Sequence, residues 1–354
     1  MVKALEEGGV DMPDGTTGDL PRFHQQLAKE NLAPLWEVMR DLVPPEPRPV
    51  ALPAIWKADR LREHALTAGR LITAEKAERR VVVLENPGLR GQSQITTSLY
   101  AGVQLILPGE VAPTHRHTAS ALRLIMEGAG AYTIVDGERV EMHAGDFIIT
   151  PTWSLHDHGS DGSAPVIWLD GLDVPIVKLL NAGFSEHVGN GKQAVTKAEG
   201  DSLARYGSGL VPVNHVSRNA VSPVFWYPYS RTRQALEQMR RAGEWDAAEG
   251  LRLAYTDPTT GRSPIRTMGA FMQLLPQGFE GTEIRSTDGA VYSVVEGRGT
   301  VQVGDERWEV GPRDVFVVPG WAWHAFSASE DLTLFSFSDR PLQEALGFWR
   351  EQRR

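Results

Sequence analysis

A constant spacing between like residues in the two halves of the chain limits its possible folds more than any other feature. Adding 169 carries Gln104 to Gln273, Gly109 to Gly278, Arg116 to Arg285, Gly128 to Gly297 and Gly130 to Gly299. One residue is then lost in a hairpin, and adding 168 carries Asp146 to Asp314, Pro151 to Pro319, Trp153 to Trp321 and His156 to His324. Self-similarity of this kind marks a duplicated structural unit. Inside the first copy, short β-rich runs (102–107, 121–126, 131–135, 147–150, 166–169) alternate with Gly109, Gly128, Gly130, Asp136-Gly137 and Gly145. Asp-Gly between β-rich runs is a hairpin signal, and many short strands so spaced predict a jelly-roll barrel. The expected fold is mainly β: two jelly-roll β-barrels with an N-terminal helical segment and a helical linker.

The copies differ in their histidines. His115-Arg116-His117 places two imidazoles on one face of a strand, because strand side chains alternate, and His156 on a later strand can come opposite them. Three neutral nitrogen donors converging in a small barrel predict a metal site. In the second copy His115 becomes Ile284 and His117 becomes Ser286, leaving His324 alone. One imidazole does not hold a divalent ion, so one metal per chain is expected and the second barrel is read as structural.

The organisation read from these marks is a tail and helical segment over 1–80, a metal-bearing barrel over 81–183, a linker with a helix over 184–262, and a second barrel over 263–354. Met1 to Thr17 reads as a disordered polar tail, a broken helical pattern runs from Asp19 to Pro44-Pro45, and Trp56 to Ala68 reads as a helix. The linker carries Trp226-Tyr-Pro-Tyr229, expected to be exposed and to cover a neighbouring subunit, then a helix from about Arg231 to Ala242. The net charge of -9, with no dense Lys/Arg stripe, argues against nucleic acid or anionic membrane as partner. No apolar run reaches the length of a membrane span and no signal-peptide pattern opens the chain, so a cytoplasmic enzyme is expected. With no cysteine, disulfides, thiolate ligands and a catalytic thiol are excluded.

The spacing of Gly109, His115, His117 and Gly128, and of Gly145, Pro151 and His156, resembles the two cupin motifs, so the duplicated unit resembles a bicupin. Two positions depart from the pattern. The usual glutamate ligand falls at Ala121 or Leu122, and the second motif's glycine is Trp153. The segments Ser98 to Glu110, His115 to Arg123, Gly145 to Gly159, Trp168 to Asp173, Phe225 to Arg233 and Met272 to Phe279 resemble the gentisate 1,2-dioxygenase family, which includes salicylate and 1-hydroxy-2-naphthoate dioxygenases. The resemblance implies non-haem Fe(II), dioxygen as co-substrate, and a homotetramer. It also implies cleavage of a hydroxybenzoate ring between the carboxyl-bearing carbon and its hydroxylated neighbour, with maleylpyruvate as the product from gentisate. The chemistry agrees: three histidines leave an ion its full double charge, which favours an anionic chelating substrate. A non-catalytic metal-cupin that binds a small aromatic acid is the reading from another class.

Around the histidines, Arg123 lies an even number of residues beyond His117 and so shares its face if the strand is uninterrupted, where it could take a carboxylate bidentately. His158 shares the face of His156 while Asp157 points away; the family likeness puts His158 near the substrate, as a partner of a ring hydroxyl or a proton shuttle. Asp170 shares parity with Trp168 and could either orient an imidazole or pair with Arg123. Tyr100, Gly102 and Gln104 share one face and are expected to line the cavity, although Gln273 in the metal-free copy leaves a structural role open for Gln104. By resemblance Arg79, or Arg80 beside it, binds an anion. His143, in a turn, is expected to face solvent, and His24, His64, His187 and His215 carry no motif.

Overall fold

The computed structural model describes residues 19–189, 191–215 and 221–354; the tail expected over Met1 to Thr17 lies outside them. The described residues fall into two compact units, 19–48 and 49–354. In the first, Leu20–Lys29 and Leu35–Leu42 are helices with no buried residue, broken near Asn31, which takes φ +57°. Among the described residues no helix is long and apolar enough to cross a membrane.

The larger unit holds two β-sandwich barrels with the same strand order. In the first, a six-stranded sheet runs Trp226–Tyr227, Phe147–Thr150, Ala121–Glu127, Val166–Leu172, Tyr100–Ile106, Val81–Val83. Its partner sheet runs Ser185–His187, Val111–His117, His156–Ser160, Ala131–Val135, Glu138–Glu141. The second barrel repeats both orders, from Ala54–Trp56 to Leu251–Ala254 in one sheet and from Glu351–Arg353 to Glu306–Val310 in the other. The hairpin Val135↔Glu138 turns on Asp136 (φ +46°) and Gly137 (φ +83°), the left-handed pair that matches strand twist.

Each barrel borrows its edge strand from the segment preceding the other. Ala54–Trp56 pairs with Val315–Val317 of the second barrel, and Trp226–Tyr227 pairs with Phe147–Ile148 of the first. The helix after each borrowed strand, Ala58–Leu71 or Tyr229–Ala242, begins on a carboxylate of the same barrel. Ala58 N donates to Asp314 Oδ1 at 2.8 Å, and Tyr229 N donates to Asp146 Oδ1 at 2.8 Å. A carboxylate there satisfies an orphan N–H and complements the helix dipole. This corrects the reading of the aromatic run. Trp226 donates to Asp146 Oδ2 at 3.0 Å, and Tyr227 packs against Phe147 and Tyr255, so the segment covers its own chain instead of standing exposed.

A second reciprocal clasp lies at the strand ends. Asp173 accepts from Ser120 N at 2.7 Å and from Thr267 Oγ1 at 2.5 Å, while Asp339 accepts from Gly289 N at 3.0 Å and from Ser98 Oγ at 2.8 Å. Both carboxylates are buried, and burial pushes both pKa values up. Asp339→Asn replaces one acceptor oxygen by a donor facing Gly289 N–H or the Ser98 hydroxyl. The expected cost is about 1–3 kcal/mol of stability, measured by urea unfolding, with a rise in KM because Ser98 leads into Tyr100 on the cavity wall.

Candidate active site

The strand Val111–His117 presents His115 and His117 on one face, and His156 opens the strand that pairs with it, His115 opposite His156. The three rings lie with centroids 4.2 Å (His115–His156), 4.9 Å (His117–His156) and 5.1 Å (His115–His117) apart, and their donor atoms fall within 4.8 Å of one another. His117 Nδ1 donates to the Ala119 carbonyl at 2.6 Å and His156 Nδ1 to the Ser154 carbonyl at 2.9 Å, which turns each Nε2 lone pair away from the backbone. His156 Nε2 is buried with no hydrogen-bond partner. Burial holds all three imidazoles neutral, His115 down to about 3, with Arg79 adding to the effect. Neutral imidazoles with one orphaned, inward-facing nitrogen fit a divalent metal ion.

These histidines form one end of a cavity of about 560 Å³ whose walls include Arg79, Tyr100, Gln104, Arg123 and Asp170. That size lies within the range of small-ligand sites. Arg123 reaches the wall although its strand is not continuous with that of His117: residues 118–120 form a bend, so the parity count gave the right face over an interrupted strand. Its Nη1 donates to Thr150 Oγ1 at 2.6 Å and its Nε lies 3.3 Å from Asp170 Oδ1. Asp170 also accepts from Trp168 Nε1 at 3.1 Å. Of the two partners open to Asp170, the structure therefore has Arg123 and not an imidazole. Burial pushes Asp170 up to about 6, with Arg123 opposing.

Arg79 donates to the Pro113 carbonyl at 3.0 Å and touches the His115 ring. Arg80 points elsewhere, into a buried ion pair with Glu110. Gly102 stands behind the wall, where a Cβ would meet Val81 Cγ1 at 2.4 Å and Tyr100 Oη at 2.9 Å. Trp168 and His158 are also buried behind it, edge to face at 5.7 Å, His158 with neither ring nitrogen bonded and 5.8 Å from His156. Asp157 points to the opposite side as expected, accepting from Thr114 Oγ1 at 3.0 Å and Gln193 N at 2.8 Å. His143 is more than half exposed.

Other contributors had no motif to announce them. The turn 91–94 and the helix Val174–Leu179 bring Gln94, Val174, Pro175 and Lys178 to the mouth. Asp173-Val-Pro175 is a helix-start signal that locates the helix but not its face. His187 stacks on His115 at 6.1 Å because Ser185–His187 adds an edge strand beside it. Trp153, at the glycine position of the motif, takes φ +64°, as Trp321 does in the repeat. Arg116 covers the Trp153 ring at 4.7 Å and Arg285 covers Trp321 at 4.2 Å, so a strained backbone is held by the same stack in both copies.

The depressed histidine values have a consequence for stability. Below the unfolded value of 6.5 the unfolded chain binds protons that folded His115, His156 and His158 refuse. Their contribution is full above that value and is lost as pH falls below it, for His115 toward about 3. Metal-free protein is expected to melt at steadily lower temperature from about pH 7 to about pH 4. His158→Gln is expected to flatten the profile; thermal melts that are level across this range would contradict it.

A cupin-domain model matches residues 102–173 and 270–337. The chain is 50% identical over 337 residues to gentisate 1,2-dioxygenase 1 of Aquipseudomonas alcaligenes, covering 95% of this chain and 97% of that protein. It is 35% identical to a 5-aminosalicylate 1,2-dioxygenase of a Comamonas species, covering 97% and 92%. The crystal structure of salicylate 1,2-dioxygenase from Pseudoaminobacter salicylatoxidans, described as adducts with gentisate, superposes with a TM-score of 0.91 at 32% identity, covering 97% of this chain and 96% of that one.

Proposed function

The chain belongs to the gentisate 1,2-dioxygenase family of ring-cleaving aromatic dioxygenases, and from that premise we propose that it converts gentisate and dioxygen to maleylpyruvate, using one Fe(II) per chain held by His115, His117 and His156. The observation that carries the metal assignment is the buried, unpartnered Nε2 of His156 beside two further neutral imidazoles. The substrate assignment is supported by the relative at 50% identity, itself a gentisate enzyme. Gentisate is also the easier ring to oxidise, because the hydroxyl para to its phenol adds electron density that salicylate lacks.

Bound Fe(II) would supply an electron path between ring and dioxygen and a template for both. The chain's own residues supply charge, position and dryness. Arg79, which stays cationic at neutral pH with its pKa lowered by burial to about 10, and Arg123 give the cavity two guanidinium groups for an anionic substrate. Asp170, Trp168 and Thr150 hold Arg123 from behind. Tyr100 and Gln104 bound the space left for the ring, with Gly102 letting Tyr100 sit close. Ala121, one of the two positions where the usual cupin glutamate would fall, lines the cavity and leaves that side free for reactants. His158, buried behind the cavity wall against Trp168, backs the cavity and does not reach a ring hydroxyl as the family likeness had implied. A cytoplasmic homotetramer completes the reading; exposed Leu179, Leu180 and Phe184 support a subunit contact.

The test is oxygen uptake by anaerobically Fe(II)-loaded protein with gentisate, salicylate and 1-hydroxy-2-naphthoate in parallel, with absorbance of the ring-opened product followed at the same time. Stoichiometric uptake with gentisate alone is expected. Faster uptake with either other acid would replace the substrate assignment, and benzoid-acid binding without uptake would move the chain to a non-catalytic binding role.

A further inference from the structure

The second barrel keeps a cavity in the place where the first has its active cavity, and substitutions along the repeat have changed its chemistry. It measures about 840 Å³, and its walls include Arg252, Arg262, Phe271, Arg340, Pro341 and Glu344. The correspondence is positional. Arg252 pairs with Gln273 as Val81 pairs with Gln104. Arg262 stands 169 beyond Ser93, and Arg340, Pro341 and Glu344 follow Asp339 as Val174, Pro175 and Lys178 follow Asp173. Phe271 replaces Gly102, and the Arg252 guanidinium lies over its ring at 4.2 Å. Both residues line the cavity, and His324 is not among its walls.

Two of the arginines are neutralised inside the site: Arg252 pairs with Glu249, and Arg340 Nε donates to Glu344 Oε1 at 2.7 Å while its guanidinium stacks on Trp349 at 4.0 Å. Arg262 is exposed and has no ionic partner among the described residues, so it adds an unpaired positive charge at the mouth. Arg252 Nε is buried and makes no hydrogen bond, a state that costs free energy until an acceptor arrives. Between them lies an apolar surface of Ala254, Ala270, Phe271 and Pro341. A flat apolar wall under convergent guanidinium groups is complementary to an aromatic ring bearing one carboxylate.

We propose that this cavity binds an aromatic carboxylate without cleaving it, as a second, non-catalytic site on the same chain. Benzoate is the probe, because it has the ring and the carboxylate but no phenol oxygen. Calorimetric titration of the full-length chain, and of its Arg262→Glu and Arg340→Gln variants, reads the site directly. A binding class that survives His156→Ala, weakens about tenfold or more in both arginine variants, and leaves their ring-cleaving kcat and KM at the wild-type values is the expected result. Arg262 is exposed, so its variant keeps the fold. Equal benzoate binding in wild type and both variants would overturn the proposal, as would benzoate binding that disappears entirely with His156→Ala. Because the readout is heat of binding, it fails or succeeds independently of which hydroxybenzoate the first barrel cleaves.

Discussion

His156→Ala leaves a folded chain that holds no stoichiometric metal and does not cleave the ring. The substitution removes the one imidazole of the three that is fully buried and whose Nε2 has no protein partner. Loss of an outer partner of a metal ligand already costs roughly 10–100-fold in affinity or activity, so loss of the ligand itself is expected to exceed that. His115→Ala and His117→Ala should behave alike, since the remaining pair cannot enclose an ion. Metal content by elemental analysis, read beside turnover, checks it. Metal retained by each single variant would remove the three-histidine assignment. His324→Ala is the matched control: it alters the repeat counterpart in the barrel that has Ile284 and Ser286, and should leave both readouts unchanged.

Arg123→Met has the second largest expected effect, and it acts on stability and turnover together. Arg123 and Asp170 are both almost wholly buried, with Nε 3.3 Å from Oδ1. Removing one member of such a pair typically costs about 3–5 kcal/mol because its partner's charge is left uncompensated. Asp170 is already pushed up to about 6 by burial; without Arg123 it takes up a proton near neutral pH, which brings the expected cost to the lower end, about 3 kcal/mol. Adding Asp170→Leu to Arg123→Met should recover much of the stability and none of the turnover, since the cationic wall of the cavity is still gone. Equal turnover in the wild type and the double variant would show that Arg123 serves the fold alone. Urea unfolding and steady-state rates on the two variants separate these outcomes.

The parts of this molecule that were legible in the sequence are those with short-range signals. Strand parity put His115 beside His117 and His158 beside His156, and Asp136-Gly137 marked its hairpin, because these depend only on alternation and left-handed backbone. The fixed offset exposed the duplication. What could not be read was the exchange between copies. Ala54–Trp56 and Trp226–Tyr227 are short edge strands whose partners lie in distant parts of the chain. No local pattern distinguishes an aromatic run that covers its own sheet from one that meets another subunit. Asp146 and Asp314 were visible as repeat partners, but their shared task of capping a helix that follows a borrowed strand needs the tertiary arrangement. The mouth of the cavity was hidden for the same reason: Gln94 and Lys178 come from a turn and a helix carrying no motif.

One anaerobic titration tests the central claim most directly: Fe(II) is added to metal-free protein until binding is complete, and gentisate is then added before any oxygen while the visible spectrum is recorded. One iron per chain, followed by a new charge-transfer absorption on addition of gentisate that His156→Ala does not develop, is the expected result. An end point of two irons per chain, or a spectrum of the iron-loaded protein that gentisate leaves unchanged, would contradict a single three-histidine centre that takes its substrate by chelation.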